Sequence, residues 1–247
     1  MAIFLFVHGA WHSGWCFEPL SEILRGEGHQ VIAPDLPGMG GDETTLSAVT
    51  LEAWGKFVAE LASAQAEPVM LCGHSRGGAV ISTAAELAPE ALRALVFIAA
   101  FLLPDGDCPA AFKARMPRAN GFADLIEVIG EGAGTRVPPE AAATYFYNTT
   151  SAKARLAATQ CLLADPFKPS RTPLRLSEER FGSIPRYYVE CTKDLIIPLA
   201  EQRLMREMLR VEAVETLDCD HSPFLSDSGG LGRALLRFEK HASASSQ

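Results

Sequence analysis

Val69-Met70-Leu71-Cys72-Gly73-His74-Ser75-Arg76-Gly77-Gly78 is the stretch on which the fold turns. An apolar run of strand type enters Gly-x-Ser-x-Gly, and from Ala79 to Leu87 apolar residues recur at three- and four-residue spacing, as on one face of a helix. A strand that passes directly into a helix forces the residue between them into a tight turn. Gly73 and Gly77 leave room there for a close backbone approach that a Cβ would block, and the Ser75 hydroxyl is then exposed at the C-terminal edge of a sheet. Without its flanks the stretch reads as a glycine-rich helix cap with Ser75 as N-cap. The strand before it and the helix after it favour a nucleophile turn.

Working outward, short apolar runs alternate with amphipathic stretches. Strands are expected at residues 2–7, 30–34, 68–73 and 93–100, with helices over Phe17 to Arg25, Leu51 to Ala64 and Ala79 to Leu87. That alternation is the signature of an α/β fold with a parallel sheet covered on both faces. From Pro104 to Phe181 it breaks: prolines, a Gly130-Glu131-Gly132-Ala133-Gly134 stretch and no run of strand type predict an inserted, mainly helical cap. Strands return at 186–191 and 212–217, separated by a helix over Leu199 to Leu209 and closed by one over Gly229 to Lys240. The small, polar tail His241 to Gln247 is expected to fray. The whole chain, 1–247, reads as one domain with a cap insertion at about 105–180.

A serine hydroxyl is a poor nucleophile near neutral pH and needs a histidine base, itself oriented by a carboxylate. Asp194 follows the strand ending at Cys191, and His221 follows the strand ending near Leu217, giving the chain order Ser, Asp, His. Asp105, after the fourth strand, is the alternative acid, and Asp220 would point away from its neighbour. Charge developing on a carbonyl oxygen also needs backbone N–H donors. Arg76, just after the serine, supplies one, and Ala10 in the loop after the first strand supplies the other. His8 and His12 read as holding that loop through hydrogen bonds, and Trp11 and Trp15 as packing against the cap or a helix.

Composition excludes several classes. The 247 residues carry 22 Lys and Arg against 30 Asp and Glu, a formal net charge of −8 with no basic run, which disfavours nucleic acid and anionic membranes as partners. A hydrophobic content of 48% suffices for a real core and argues against disorder. Met-Ala-Ile-Phe-Leu-Phe-Val lacks a basic flank and reaches His8 too soon for a signal or a span, so a cytoplasmic location is the default expectation. Six dispersed cysteines without C-x-x-C spacing suggest neither a zinc site nor a redox dithiol. Gly38-Met39-Gly40-Gly41 does not spell a dinucleotide-binding loop.

Together, His8-Gly9-Ala10-Trp11-His12-Ser13-Gly14-Trp15, Gly73-His74-Ser75-Arg76-Gly77-Gly78, Phe97-Ile98-Ala99-Ala100-Phe101, Glu179-Arg180-Phe181-Gly182-Ser183, Cys191-Thr192-Lys193-Asp194 with Ile197-Pro198 and Gln202, and Asp220-His221 resemble the plant methylesterase and hydroxynitrile lyase family of α/β-hydrolases. That group includes the salicylate-binding methylesterases and polyneuridine aldehyde esterase. The resemblance spans nearly the whole chain and is weakest through 105–175. It implies a six-stranded, mainly parallel core, a helical cap over a narrow apolar pocket and no cofactor or metal. It also implies Ser75, Asp194 and His221 as the triad, with the N–H groups of Ala10 and Arg76 as oxyanion donors. Members often form homodimers.

Departures matter for choosing within the family. Cyanohydrin-cleaving members that resemble this chain have Thr where Gly9 stands and Lys where Ser222 stands, so the resemblance implies a serine carboxylesterase acting on small esters, methyl or aromatic ones among them, through an acyl-enzyme. A hydroxynitrile lyase, a lactonase and a non-catalytic ligand-binding protein are the alternatives. Arg76 stands where the family generally has an apolar side chain, and its guanidinium needs water or a carboxylate.

Overall fold

The apolar runs become strands because both of their faces find cover. The computed structural model describes residues 1–117 and 121–244. In chain order, β1 (Ile3–Val7), α1 (Glu18–Gly26), β2 (Gln30–Ile32), α2 (Glu43–Ala48), α3 (Leu51–Ser63), β3 (Val69–His74), α4 (Gly77–Leu87) and β4 (Leu92–Ile98) build the first part. Next come α5 (Pro109–Arg115), β5 (Glu127–Ile129), β6 (Gly134–Arg136), α6 (Pro139–Tyr145), α7 (Ala152–Thr159) and β7 (Asp165–Pro166). The chain closes with β8 (Arg186–Cys191), α8 (Leu199–Met208), β9 (Ala213–Leu217), α9 (Pro223–Ser226) and α10 (Ser228–Ala244).

Six of these strands form one sheet in the order β2-β1-β3-β4-β8-β9, and every pairing within it is parallel. Side chains alternate across the strands. Ile3, Leu5, Val7, Leu71 and Phe97 pack with Trp54 and Val58 of α3, Val80 of α4 and Met205 of α8. Phe4, Phe6, Met70 and Val96 pack on the opposite face with Leu20 and Leu24 of α1 and Leu231, Leu235 and Phe238 of α10. Leu5 is fully buried, so its truncation to Ala removes about 2–5 kcal/mol.

Several boundaries differ from the sequence reading. β2 ends at Ile32 rather than residue 34, because Pro34 has no N–H for a ladder. β4 ends at Ile98 rather than residue 100, because Ala99 turns at φ +42° and the Tyr188 hydroxyl takes over the Ala100 peptide groups, accepting from its N–H at 3.2 Å and donating to its oxygen at 2.7 Å. The expected frayed tail is helical as far as Ala244, held by buried Ala242 and by a 2.8 Å hydrogen bond between the Tyr187 hydroxyl and His241 Nδ1. Residues 245–247 of that tail lie outside the described residues. The short α2, absent from the sequence reading, forms where Asp42 accepts the Thr45 N–H at 2.9 Å.

β4 pairs directly with β8, so residues 99–185 leave the sheet and return to it. This excursion, expected to be mainly helical, holds α5, α6 and α7 and also an antiparallel sheet, β5-β6-β7. Its strands of two or three residues are too short to show periodicity. The glycine-rich stretch is the turn between two of them, with positive φ at Gly130, Glu131 and Gly132. The parallel register of β8 and β9 also does what cysteine spacing could not foretell. It brings the buried Cys191 and Cys219 sulfurs to 3.7 Å, all six cysteines being free thiols. No helix among the described residues is long and apolar enough to cross a membrane.

Candidate active site

Parallel strands end on the same side, so loops leaving β1, β3, β8 and β9 meet at one edge of the sheet. Ser75 follows β3 at φ +53°. Its carbonyl accepts the N–H groups of Gly78 and Phe101, both at 3.0 Å, and its own N–H donates to the Ile98 oxygen at 3.2 Å. The helix-cap alternative fails here. Arg76 is the N-cap of α4, with no side-chain capping bond, and the serine is free of that duty. A Cβ on Gly73 would lie 2.7 Å from the Gly77 oxygen, and one on Gly77 would lie 2.5 Å from the Val7 oxygen, so this turn admits only glycine at both positions.

Asp194 and His221 are brought together. The His221 Nδ1–H donates to Asp194 Oδ2 at 2.7 Å. The other carboxylate oxygen accepts the N–H groups of Ile196 and Ile197 at 2.7 and 2.9 Å, and Gln202 Nε2 reaches Oδ2 at 3.3 Å. Gln202 is itself fixed by the Cys191 and Ile197 carbonyls. The His221 ring stands 4.7 Å, centroid to centroid, from that of His74, the residue before the serine. His74 Nε2–H donates to the His221 carbonyl at 2.7 Å. Asp105, the alternative acid, instead accepts the Leu176 N–H at 2.8 Å. Asp220 does point away, gripping the cap: Oδ2 accepts the N–H groups of Thr149 and Thr150 and the Thr150 hydroxyl at 2.8–3.0 Å, and Oδ1 accepts the Ser222 N–H at 3.0 Å.

The loop after β1 is held by its histidines. His8 Nδ1–H donates to the Gly9 oxygen at 2.9 Å while Nε2 accepts the Leu36 N–H at 3.0 Å. His12 Nδ1–H donates to the Ala10 oxygen at 2.8 Å, and Nε2 accepts the Tyr147 hydroxyl at 2.8 Å. Each ring must be neutral to accept. Burial agrees, lowering the pKa of His8 to about 4 and of His12 to about 3. His74 is likewise pushed well below the ordinary imidazole value by burial. Among the described residues, no fold group accepts a hydrogen bond from the N–H of Ala10 or of Arg76.

Trp11 packs against the cap, stacked on Phe146 at 5.7 Å and edge-on to Phe122 at 6.1 Å, and Trp15 stacks on His12 at 5.9 Å. The Arg76 side chain, left without a partner by the sequence, is buried over the Trp54 ring and donates to Asp165 Oδ2 in β7. Burial raises the Asp165 carboxyl above its ordinary value, against the pull of that guanidinium. No sequence signal marks Asp165, which lies 89 positions from its partner.

Ser75, Asp194 and His221 are only 7, 4 and 2% exposed, with the Phe146 ring 6.2 Å from that of His221. Two cavities flank this covered centre. One, of about 390 Å³, is lined by Ala10, Trp11, Ile126, Thr135 and Phe167 among others. The second, of about 370 Å³, is lined by Lys113, Met116, Leu195, Ile196 and Pro198 among others. Among the described residues no group of three or more His, Cys, Asp or Glu side chains is arranged to hold a metal.

Comparison with known proteins agrees with this architecture. The sequence model of the alpha/beta hydrolase family matches residues 4–232. Methylesterase 7 of Arabidopsis thaliana is 32% identical over 97% of this chain and 97% of its own length. A pyrethroid hydrolase of Sphingobium wenxiniae is 33% identical over 95% of this chain and 86% of its own. The crystal structure of a pyrethroid hydrolase from Sphingobium faniae superposes with a TM-score of 0.86 at 29% identity, covering 98% of both chains. The chain therefore belongs to the alpha/beta hydrolase family, among relatives of the plant methylesterases.

Proposed function

We propose that this protein is a serine carboxylesterase acting on small esters with an apolar or aromatic acyl part, methyl esters among them. The observation that carries the reading is the 2.7 Å bond from His221 to Asp194, with the His221 carbonyl held by His74, the residue before a serine at φ +53°. Relatives named as a methylesterase and a pyrethroid hydrolase support the same chemistry. Ser75 Oγ adds to the ester carbonyl carbon as His221 Nε2 takes its proton, and the carbonyl electron pair moves onto oxygen, where the N–H groups of Ala10 and Arg76 receive it. Asp194 holds the imidazole in the tautomer that leaves Nε2 free and stabilises the imidazolium. Collapse breaks the bond to the alcohol, which leaves with the His221 proton. Water then repeats the sequence on the acyl-enzyme and releases the acid.

A cyanohydrin lyase finds no support at positions 9 and 222. A side chain at position 9 would start 2.8 Å from Ser75 Cβ and 2.9 Å from His74 Nδ1, and position 222 carries a buried serine instead of a cation. Ester turnover on a panel of p-nitrophenyl esters, methyl esters of aromatic acids and lactones tests the proposal, with an organophosphonate to label the nucleophile. Stoichiometric labelling of Ser75 and loss of turnover in Ser75→Ala are expected. Full activity in Ser75→Ala overturns the proposal, and labelling without turnover of any ester returns the ligand-binding alternative.

A further inference from the structure

The two N–H groups assigned to the oxyanion lie on different loops, one after β1 and one after β3, and their separation must be held to a few tenths of an ångström to be of use. The Ala10–Trp11 peptide is gripped at both ends. His12 Nδ1–H donates to its oxygen at 2.8 Å, and its N–H donates to Asp165 Oδ1 at 3.1 Å. The other oxygen of that carboxylate accepts from Arg76, whose own backbone N–H is the second oxyanion donor. Two further cap contacts hold Trp11, which sits at φ +61°: its carbonyl accepts the Leu163 N–H at 2.8 Å and its indole N–H donates to Thr135 Oγ1 at 3.0 Å. One buried carboxylate thus spans the nucleophile turn and the loop that carries the other donor.

We infer that Asp165 is a positioning residue for ester hydrolysis: its carboxylate, anchored by Arg76, fixes the Trp11 N–H and thereby aims the Ala10 N–H at the oxyanion. This rests on the hydrolase reading given above. The guanidinium keeps the carboxylate in place but also makes the pair interdependent, since removing either partner strands a buried charge. Replacing both by neutral groups removes that penalty and isolates the hydrogen bond to Trp11.

The decisive comparison is Arg76→Met/Asp165→Asn against Arg76→Met/Asp165→Leu, assayed with p-nitrophenyl butyrate, a trifluoromethyl ketone that forms a tetrahedral adduct, and butyrate as product inhibitor. Asn retains an acceptor for the Trp11 N–H; Leu has none. The Leu form is expected to lose about 10–100-fold in kcat relative to the Asn form, with KM within threefold, because misaimed oxyanion donors act on the transition state alone. Affinity for the ketone should fall by the same factor and that for butyrate should stay unchanged. Equal kcat in two forms with cooperative thermal unfolding overturns the inference, as does lost kcat with unaltered ketone affinity. Should the Leu form not fold, single Asp165→Asn and Asp165→Ala proteins give the same contrast of acceptor kept against acceptor lost, and equal kcat in those two is again the overturning result. Ser75→Ala separates the two levels: activity surviving in it defeats the hydrolase reading, whereas its loss beside an unimpaired Leu form defeats only the role of Asp165.

Discussion

The two halves of the proposed site, the acid–base pair and the oxyanion loop, are built on different plans. Asp194 and His221 sit one short loop beyond neighbouring strands of the sheet, and the Asp194 carboxylate is satisfied within eight positions of itself, by Ile196, Ile197 and Gln202, apart from its bond to His221. The Ala10 loop instead depends on partners far along the chain: Asp165, Thr135, Leu163 and Tyr147, all in the excursion between β4 and β8. The first half is set by the strands. The second is set by a cap docked over them. Damage to the first should therefore strip activity from a protein that stays folded, and damage to the second should register in stability and rate together.

The sharpest way to break this contrast is at Asp194. Asp194→Asn keeps an oxygen for the Ile196 and Ile197 N–H groups but presents the wrong partner to His221 Nδ1–H, so kcat should fall about 10⁴-fold with unfolding little changed. Steady-state kinetics beside a melting curve checks it, and a melt shifted as much as the rate would deny that this half stands on the sheet alone.

Next in size is the clamp between cap and base loop. Asp220→Ala orphans the N–H groups of Thr149, Thr150 and Ser222 and the Thr150 hydroxyl, in a position that is fully buried. Stranded donors of this kind cost about 3–5 kcal/mol in sum, or roughly 10 °C in Tm for a chain of this size. A calorimetric midpoint within 2 °C of the parent would mean that the cap is docked by its aromatic contacts rather than by Asp220.

The same difference decided what could be read from the residues. Ser75, Asp194 and His221 were legible because each follows an apolar run that declares itself a strand, and parallel strands bring their ends together whatever lies between. Nothing local announces Asp165, which belongs to a two-residue strand in a sheet whose other strands, β5 and β6, have three residues each. Its bonds to Arg76 and Trp11 lie 89 and 154 positions away. Arg76 did declare itself, as a charge where burial was expected, and it was the partner rather than the need for one that the sequence hid. The cap's antiparallel sheet was missed for the same reason, since periodicity requires more residues than these strands possess.

Acid should weaken the fold through the buried histidines around the site. His8, His12 and His74 are buried and neutral, with pKa values lowered by burial, whereas in the unfolded chain they titrate near 6.5. Below that value the unfolded state binds protons that the folded state refuses, so stability is intact above about pH 6.5 and falls as pH drops toward 4, by up to about 1.4 kcal/mol per pH unit for each histidine. Urea midpoints between pH 7 and 5 should decline accordingly, and His12→Asn should flatten the slope. An unchanged slope in that variant would place the acid sensitivity elsewhere.

The finest test concerns which nitrogen of His12 carries the proton. The Ala10 carbonyl can only accept, so Nδ1 is protonated, and Nε2 must then accept from the Tyr147 hydroxyl. Tyr147→Phe removes that hydroxyl and nothing else, leaving Nε2 as a buried acceptor without a donor. The ring remains neutral, because burial still opposes its charge, and the bond to Ala10 keeps the same tautomer favoured. A loss of about 1–2 kcal/mol in stability is expected, with kcat falling less than tenfold. Nitrogen-15 chemical shifts of the imidazole follow the tautomer directly. Should they move the proton to Nε2, the Ala10 carbonyl would lose its donor, and the fall in kcat would then approach that of the Asp165 variants, since both substitutions would release the same peptide from opposite ends.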